Sequence, residues 1–245
     1  MKKNIIAFIL TLISHTVTAY YKYPDIEPRV LLFYKTAGFH HTSIARGVEA
    51  IKTLGAAHGF IVDTSTDATM FNDSTLARYN AVIFLNTSGT LFNHPQRKAF
   101  MHYIQSGGGF AGIHAATDTE TDWPWYVKLA GAIFLNHPAP QFAKLVIKDT
   151  THLSTKHLPL SWTRTDEWYN FKQLNPEVNV LITIDETSYE GGSHGHFHPI
   201  AWYHAYDGGR AFYTALGHSE ESYTEPFFLQ HLLGGIQYAM GIQKK

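Results

Sequence analysis

Four short apolar runs punctuate the first half of the chain, and each opens into a polar exit. Arg29 to Tyr34 (RVLLFY) is unbroken and of strand length, the pattern of a strand covered on both faces. It runs into Lys35-Thr36-Ala37-Gly38-Phe39-His40-His41. Thr42 or Ser43 then caps a helix whose Ile44, Val48, Ile51 and Leu54 recur at helical spacing before Gly55. Phe60 to Thr64 (FIVDT) predicts a second strand, followed by Asp67 to Phe71 and a capped segment from Ser74 to Tyr79. Ala81 to Leu85 (AVIFL) is the third strand and ends in Asn86-Thr87-Ser88-Gly89. A helix from Pro95 to Gln105 is stopped by Gly107 to Gly109, and Phe110 to Ile113 forms the fourth strand, leaving His114 at its carboxyl end. Strands alternating with helices at this spacing predict an α/β fold: a mostly parallel central sheet with helices on both faces.

The second half is less regular. An acidic, aromatic loop runs from Thr117 to Trp125, and a helix from Trp125 to Ala130 is ended by Gly131. Gln141 to Ile147 (QFAKLVI) is a candidate strand, the stretch from Asp149 to Leu160 is irregular, and Asp166-Glu167-Trp168-Tyr169 falls in a loop. Val180 to Asp185, Ile200 to His204 and Arg210 to Leu216 read as late strands. Pro226 opens a closing helix from Glu225 to about Met240. No linker, repeat or low-complexity tract interrupts residues 20–245, which reads as one domain.

Composition narrows the function. With 19 basic and 20 acidic residues among 245 there is no basic field, so nucleic acid is not an expected partner. Lys2 and Lys3, the apolar run from Ile5 to Ser14, and Val17-Thr18-Ala19 with small residues at the cleavage positions read as a signal peptide over residues 1–19, cut after Ala19. That run is too short to span a bilayer, and no later run approaches the ~20 apolar residues a span needs. The expected product is exported, most simply periplasmic. The absence of cysteine excludes disulfides and thiolate chemistry. Sixteen histidines, with 16 Phe, 14 Tyr and 5 Trp, suit a site for a polar small molecule with flat apolar faces, such as a sugar. The sequence carries no signal for an oligomeric state.

In an open α/β sheet, ligands bind outside the carboxyl ends of the strands. Four sets of loops are expected to meet there: Phe39-His40-His41, Asn86 to Gly89, His114 to Trp125, and the late loops Gly191 to His198 and Gly217 to Ser222. Their histidines and carboxylates suit acid/base work on a polyol. His114 is a candidate base or acid, with Asp118 to orient it or act as its partner; alternatively Asp118, Glu120 and Asp122 form a solvated acidic loop. Trp123 and Trp125 read either as sugar platforms or as core anchors. Asp166 and Glu167 are an acid pair or a capped turn. His218, after a strand and a glycine, mirrors the exit at His114. His194, His196 and His198 would project to one side of an extended backbone, as zinc ligands can, but three ligands from five residues are crowded and no acid adjoins them. No metal is assigned, and no cofactor is required.

In order along the chain, Gly38-Phe39-His40-His41, Ser43-Ile44, Asn86-Thr87-Ser88-Gly89, Gly107 to His114, Asp118 to Trp125, Asp166 to Asn170, His198-Pro199-Ile200-Ala201-Trp202, Gly208-Gly209-Arg210 and Gly217 to Tyr223 together resemble the ThuA-like, or trehalose-utilisation, family. The resemblance spans Arg29 to Gly241. It implies a class I glutamine amidotransferase-like fold, with a flavodoxin-like core and added late strands. In amidotransferases that strand exit carries a nucleophilic cysteine; here the place resembles His114, which excludes amidotransfer by cysteine. Members of the family are associated with 3-keto-glycosides. Where the family pattern has Met-Gly-x-Asp before its His-Pro, this chain has Ser193-His194-Gly195-His196-Phe197, while His198 stays on pattern. The resulting expectation is an exported enzyme acting on glycosides or 3-keto-glycosides by acid/base chemistry. Its catalytic candidates are His114, Asp118 and His218, and its substrate-binding candidates are His40, His41, Trp123, Trp125, Tyr169 and His198. The competing readings are a non-catalytic sugar-binding module and a metal hydrolase using His194 to His198.

Overall fold

The apolar runs become the centre of a nine-stranded sheet. The structure, a computed structural model, describes residues 27–242, so the expected signal peptide lies outside the described residues. In chain order the elements are β1 (Arg29–Phe33), α1 (Ile44–His58), β2 (Ile61–Ser65), α2 (Asp73–Leu76), β3 (Ala81–Leu85), α3 (His94–Gln105), β4 (Gly109–Ile113), α4 (Pro124–Ala130), β5 (Ile133–Asn136), β6 (Gln141–Ile147), β7 (Ser161–Asp166), β8 (Asn170–Lys172), β9 (Asn179–Asp185), β10 (His198–Tyr206), β11 (Gly209–Thr214) and α5 (Pro226–Ala239).

The strand order is β2-β1-β3-β4-β11-β10-β9-β6-β7, with β5 and β8 forming a separate pair. The first five are parallel. From β11 onward every pairing is antiparallel, so the parallel core expected of the sequence is extended by the late strands into a mixed sheet. The antiparallel half comes from the late strands, which are joined by a tight turn between β10 and β11 and by longer loops elsewhere, not by α-helical crossovers.

β3 is buried at all five positions. Phe84 points to one face, where it meets Phe33, Phe71, Phe100, Phe110 and Tyr126. Leu85 points to the other, against α1 at Gly47. This alternation is what a helix-covered central strand requires. α5 packs so closely on β11 that a side chain at Gly235 would collide with the ring of Phe212. α3 opens with a capping box between Asn93 and Gln96. Ser43 heads α1 without capping it; its hydroxyl has a different partner, described below.

β7 has no counterpart in the sequence reading. Its alternation is regular, with Trp162, Arg164 and Asp166 buried and Ser161, Thr163 and Thr165 exposed. Two of the three inward residues are charged, which hides a strand from a search for apolar residues. They are paired: Arg164 lies 3.1 Å from Asp166 and 3.0 Å from Glu225.

The acidic loop after β4 is a buried strut. Glu120 is fully buried, accepts the backbone N–H groups of Leu91 (2.6 Å) and Phe92 (2.9 Å), and pairs with Arg97 at 2.6 Å. Trp123 and Trp125 stack on each other with ring centroids 5.0 Å apart, and Arg97 covers Trp123. Trp125 donates to Asp207 in the β10–β11 turn. That turn sits beside the start of β4, at the sheet edge opposite His114. The two indoles are therefore packing anchors, which replaces their reading as sugar platforms. No described helix is long and apolar enough to cross a membrane.

Candidate active site

The switch in strand order lies at β1, where the chain first builds outward to β2 and then crosses to β3. The loops leaving β1, β3, β4 and β11 open on that side, as the fold rule predicts. They bring His41, His114 and His218 together, and the segment after β7 adds Glu167. One donor atom from each of the four lies within 4.8 Å of all the others.

Each member is held by a specific local device. His114 adopts a left-handed backbone, φ +49°, immediately after β4. For a residue with a Cβ this costs on the order of 1 kcal/mol or more, and it turns the ring back over the strand end. His114 Nδ1–H donates to the Ala215 carbonyl at 2.7 Å, and Tyr213 Oη–H donates to the His114 carbonyl, also at 2.7 Å. The ring of Tyr169 lies over the imidazole at 4.2 Å.

His218 is set by its own backbone. The two oxygens of Asp166 accept the N–H groups of Gly217 (3.0 Å) and His218 (3.2 Å). The Gly217 carbonyl in turn accepts from Ser43 Oγ, Asn86 Nδ2 and Tyr223 Oη. Ser43, expected as a helix cap, thus ties the start of α1 to the exit of β11. Gly217 has φ +108°, and a Cβ there would sit 2.9 Å from Tyr223 Oη, so glycine is required.

Glu167 is the centre of charge. Its Oε2 lies 3.3 Å from His114 Nε2 and 3.2 Å from His218 Nδ1, while its Oε1 lies 3.0 Å from His137 Nδ1. Burial alone would raise its pKa, but His114 and His218 outweigh burial and hold the carboxyl well below the usual range. Contact with Glu167 raises His218, against an opposing effect of burial. Burial, reinforced by His114 and His218, holds His41 down at about 3. The contacts of Oε2 with His114 and His218 have the distance of an ion pair without hydrogen-bond alignment. His41 Nδ1, His114 Nε2 and His218 Nδ1 are consequently buried without hydrogen-bond partners.

Of the sequence candidates, His41, His114, His218 and Tyr169 meet here. His40 is exposed one residue away and contacts Thr36 Oγ1. Asp118 lies near Tyr169, whose phenol it helps to push up; its own carboxyl is pushed up by burial, with Lys172 opposing. His198 stands behind the site. It is fully buried, with Nδ1 2.8 Å from Glu186 and Nε2 2.8 Å from the Tyr169 carbonyl, so it fixes the segment that presents Tyr169.

His194 and His196 do not form a ligand set with His198. His194 Nε2 accepts from Phe171 N, His196 is exposed, and Glu186 is the acid that gathers this loop, accepting the N–H groups of His194 and Gly195. Glu167 and His137 are the residues that sequence reasoning left out of the site. Glu167 belongs to a stretch that was legible as an acid pair; the structure separates that pair into a strut, Asp166, and an acid set among the histidines. Three side chains mark the mouth: His218 at 26% exposure, His137 at 39%, and Phe39, which is two-thirds exposed and stands edge-on to His41 at 4.8 Å. A groove of about 490 Å³ lined by His152, Tyr203, Arg210 and Tyr238 lies at the other edge of the sheet.

A mixed α/β sheet carrying buried histidines and a carboxylate at the carboxyl ends of its parallel strands defines an α/β protein with a polar cluster at its ligand-binding edge. Residues 29–239 match the family described as ThuA, trehalose utilisation, and the chain belongs to that family. It is similar to a ThuA-like protein from Bacteroides uniformis, with 28% identity, a TM-score of 0.74, and coverage of 90% of this chain and 95% of that one. A ThuA-like protein from Parabacteroides merdae superposes with a TM-score of 0.74 at 21% identity, covering 89% and 92% of the two chains. A β-galactosidase from Bacillus circulans sp. alkalophilus shares the fold over 88% of this chain and 31% of its own, with a TM-score of 0.57 at 12% identity. No curated protein matches the sequence.

Proposed function

We propose that this ThuA-family chain is an exported carbohydrate-processing enzyme acting on glycosides or 3-keto-glycosides, with its reaction centre at His41, His114, Glu167 and His218. One observation carries the reading: three imidazoles and one carboxylate, drawn from four separate loops, converge within 4.8 Å in a nearly buried setting. A surface that only held a sugar would gain nothing from gathering groups whose desolvation is costly.

The chemistry follows from the groups. In a 3-keto sugar the carbonyl acidifies the C–H of the neighbouring ring carbon. A base that removes this proton, with positive charge near the ketone oxygen, gives an enolate from which the glycosidic oxygen can leave. His218, the most accessible of the four, faces the side from which a substrate arrives. Tyr169, His137 and Phe39 line the approach. The order β2-β1-β3-β4-β11 supports reading the core as flavodoxin-like and amidotransferase-like. The pattern of residues 1–19 supports export, which N-terminal sequencing of the mature protein tests: a retained Met1 overturns it.

The functional test is turnover of a panel of glycosides and 3-keto-glycosides by the wild type, His114→Ala and Glu167→Gln. Conversion by the wild type and its loss in both variants is the expected result. Binding of a panel member that is never converted, with affinity kept in His114→Ala, replaces the enzyme with a sugar-binding module.

A further inference from the structure

We infer that His41, His114, Glu167 and His218 form a site for one divalent transition-metal ion of the zinc type. The inference deepens the functional reading and rests on it for the role of the ion in turnover; the ligand set stands on geometry.

The first argument is the proton on His114. A backbone carbonyl only accepts, so the 2.7 Å contact with Ala215 places a proton on Nδ1, and in the neutral ring this leaves a lone pair on Nε2. Glu167 Oε2 lies 3.3 Å from that nitrogen without the alignment of a hydrogen bond. Two acceptors face each other in a buried pocket, an arrangement that a cation between them resolves. His218 Nδ1 lies 3.2 Å from the same oxygen, and a ring nitrogen of His41 is the fourth member of the group. A single shared proton satisfies one of these contacts at a time and leaves the other nitrogens unmet.

The second argument is size. Zinc bound tetrahedrally at ~2.0–2.1 Å sets its ligand atoms about 3.3–3.4 Å apart. The two contacts to Glu167 Oε2, at 3.3 and 3.2 Å, already have that edge length. Other pairs extend up to 4.8 Å, a spread that leaves room for a fifth ligand, a substrate ketone or hydroxyl oxygen, on the side opened by the partly exposed His218.

The third argument is the surrounding shell. Metal-bound histidines commonly donate their other N–H to a carbonyl, as His114 does to Ala215, and bound carboxylates are themselves hydrogen-bonded. His137 Nδ1 lies 3.0 Å from Glu167 Oε1 and 2.9 Å from the Pro138 carbonyl. Both neighbours are acceptors, so this nitrogen carries its proton; it donates to the Pro138 carbonyl and sets the ring edge beside Oε1, leaving Oε2 to face His114 and His218. Three imidazoles and one carboxylate favour zinc or a similar borderline ion over magnesium or calcium.

The test uses the full chain without a histidine tag, stripped with a strong chelator and titrated with Zn²⁺ alone and Co²⁺ alone. One equivalent of Zn²⁺ is expected, with Co²⁺ giving the intense visible bands of a four- or five-coordinate site. Glu167→Gln, close to isosteric, and His114→Ala should each weaken Zn²⁺ binding by about 100-fold or more, while His196→Ala binds as the wild type does. Circular dichroism confirms that the variants fold; if His114→Ala does not, Glu167→Gln decides. No stoichiometric binding, unchanged binding in Glu167→Gln, or binding lost in His196→Ala overturns the site. Stoichiometric binding without turnover of the sugar panel sinks the functional reading and leaves the site standing. Undiminished turnover in the stripped protein removes the ion from the reaction while the functional reading survives.

Discussion

Asp166 fixes His218 without touching its ring: the carboxylate grips the peptide N–H groups of Gly217 and His218 at 3.0 and 3.2 Å. Both oxygens are therefore committed as acceptors, and Arg164 balances the charge at 3.1 Å. Asp166→Asn puts an amide N–H against a backbone N–H and leaves Arg164 with less compensation. The expected cost is about 2–4 kcal/mol, read from urea denaturation, together with a fall in turnover. An unchanged midpoint would remove Asp166 from this role.

Gly217 is constrained in two ways, by φ +108° and by Tyr223 Oη in the path of a Cβ. Gly217→Ala is expected to destabilise by roughly 1–3 kcal/mol. Tyr223→Phe removes the closest clash along with its own hydrogen bond to the Gly217 carbonyl, so measured against the Tyr223→Phe background, Gly217→Ala should cost less than in the wild type but still destabilise. No cost in that background would show that backbone conformation is not limiting.

Acid stability has a defined buried contributor. His231 is held neutral by burial, at about 3 against an ordinary 6.5, and its Nδ1–H donates to the Ser154 carbonyl. A histidine depressed in the fold binds its proton in the unfolded chain first. Stability from this group is complete above about pH 6.5 and declines as pH falls toward 3. Between pH 7 and pH 5 the loss is about 2 kcal/mol at most. His231→Asn, which keeps a donor near Ser154, should flatten the decline in urea midpoints; an unaltered slope rejects the assignment.

Phe39 and Trp125 separate substrate contact from packing. Phe39 stands exposed at the mouth, so Phe39→Ser should leave the melting temperature unchanged and raise KM by about 3–10-fold. Trp125 is bound to Asp207 away from the site, so Trp125→Phe should cost about 1 kcal/mol of stability with KM unaltered. The reverse pattern would restore the indoles as sugar platforms.

The sequence was most readable where burial and polarity agree. Ala81–Leu85 and Gln141–Ile147 are strands over the ranges their apolar patterns predict. His114 and His218 were legible because each follows a buried strand at a glycine-rich exit, and His41 because it lies in the first such exit. The reading failed where a polar group faces inward. Arg164 and Asp166 conceal β7, and with β7 hidden nothing indicated that Glu167 reaches histidines more than 50 positions before and after it. The acidic and aromatic loop misled for the converse reason: Glu120 and the two tryptophans resemble a binding surface in composition, yet their partners are Leu91, Phe92, Arg97 and Asp207.

The strand order carries one more consequence. β7 stands four places from β11 in the sheet, a separation of roughly 19 Å if the sheet were flat. Asp166, at the end of β7, nevertheless grips the residues just after β11. The antiparallel half must therefore curl back over the parallel half like a cupped hand, with Glu167 at the fingertips. The curvature has a local origin to hand in β10, whose register against β9 shifts around Ala201. Deleting that irregularity would flatten the hand, withdrawing Glu167 together with Asp166 and so releasing the backbone of His218 from the carboxylate that holds it.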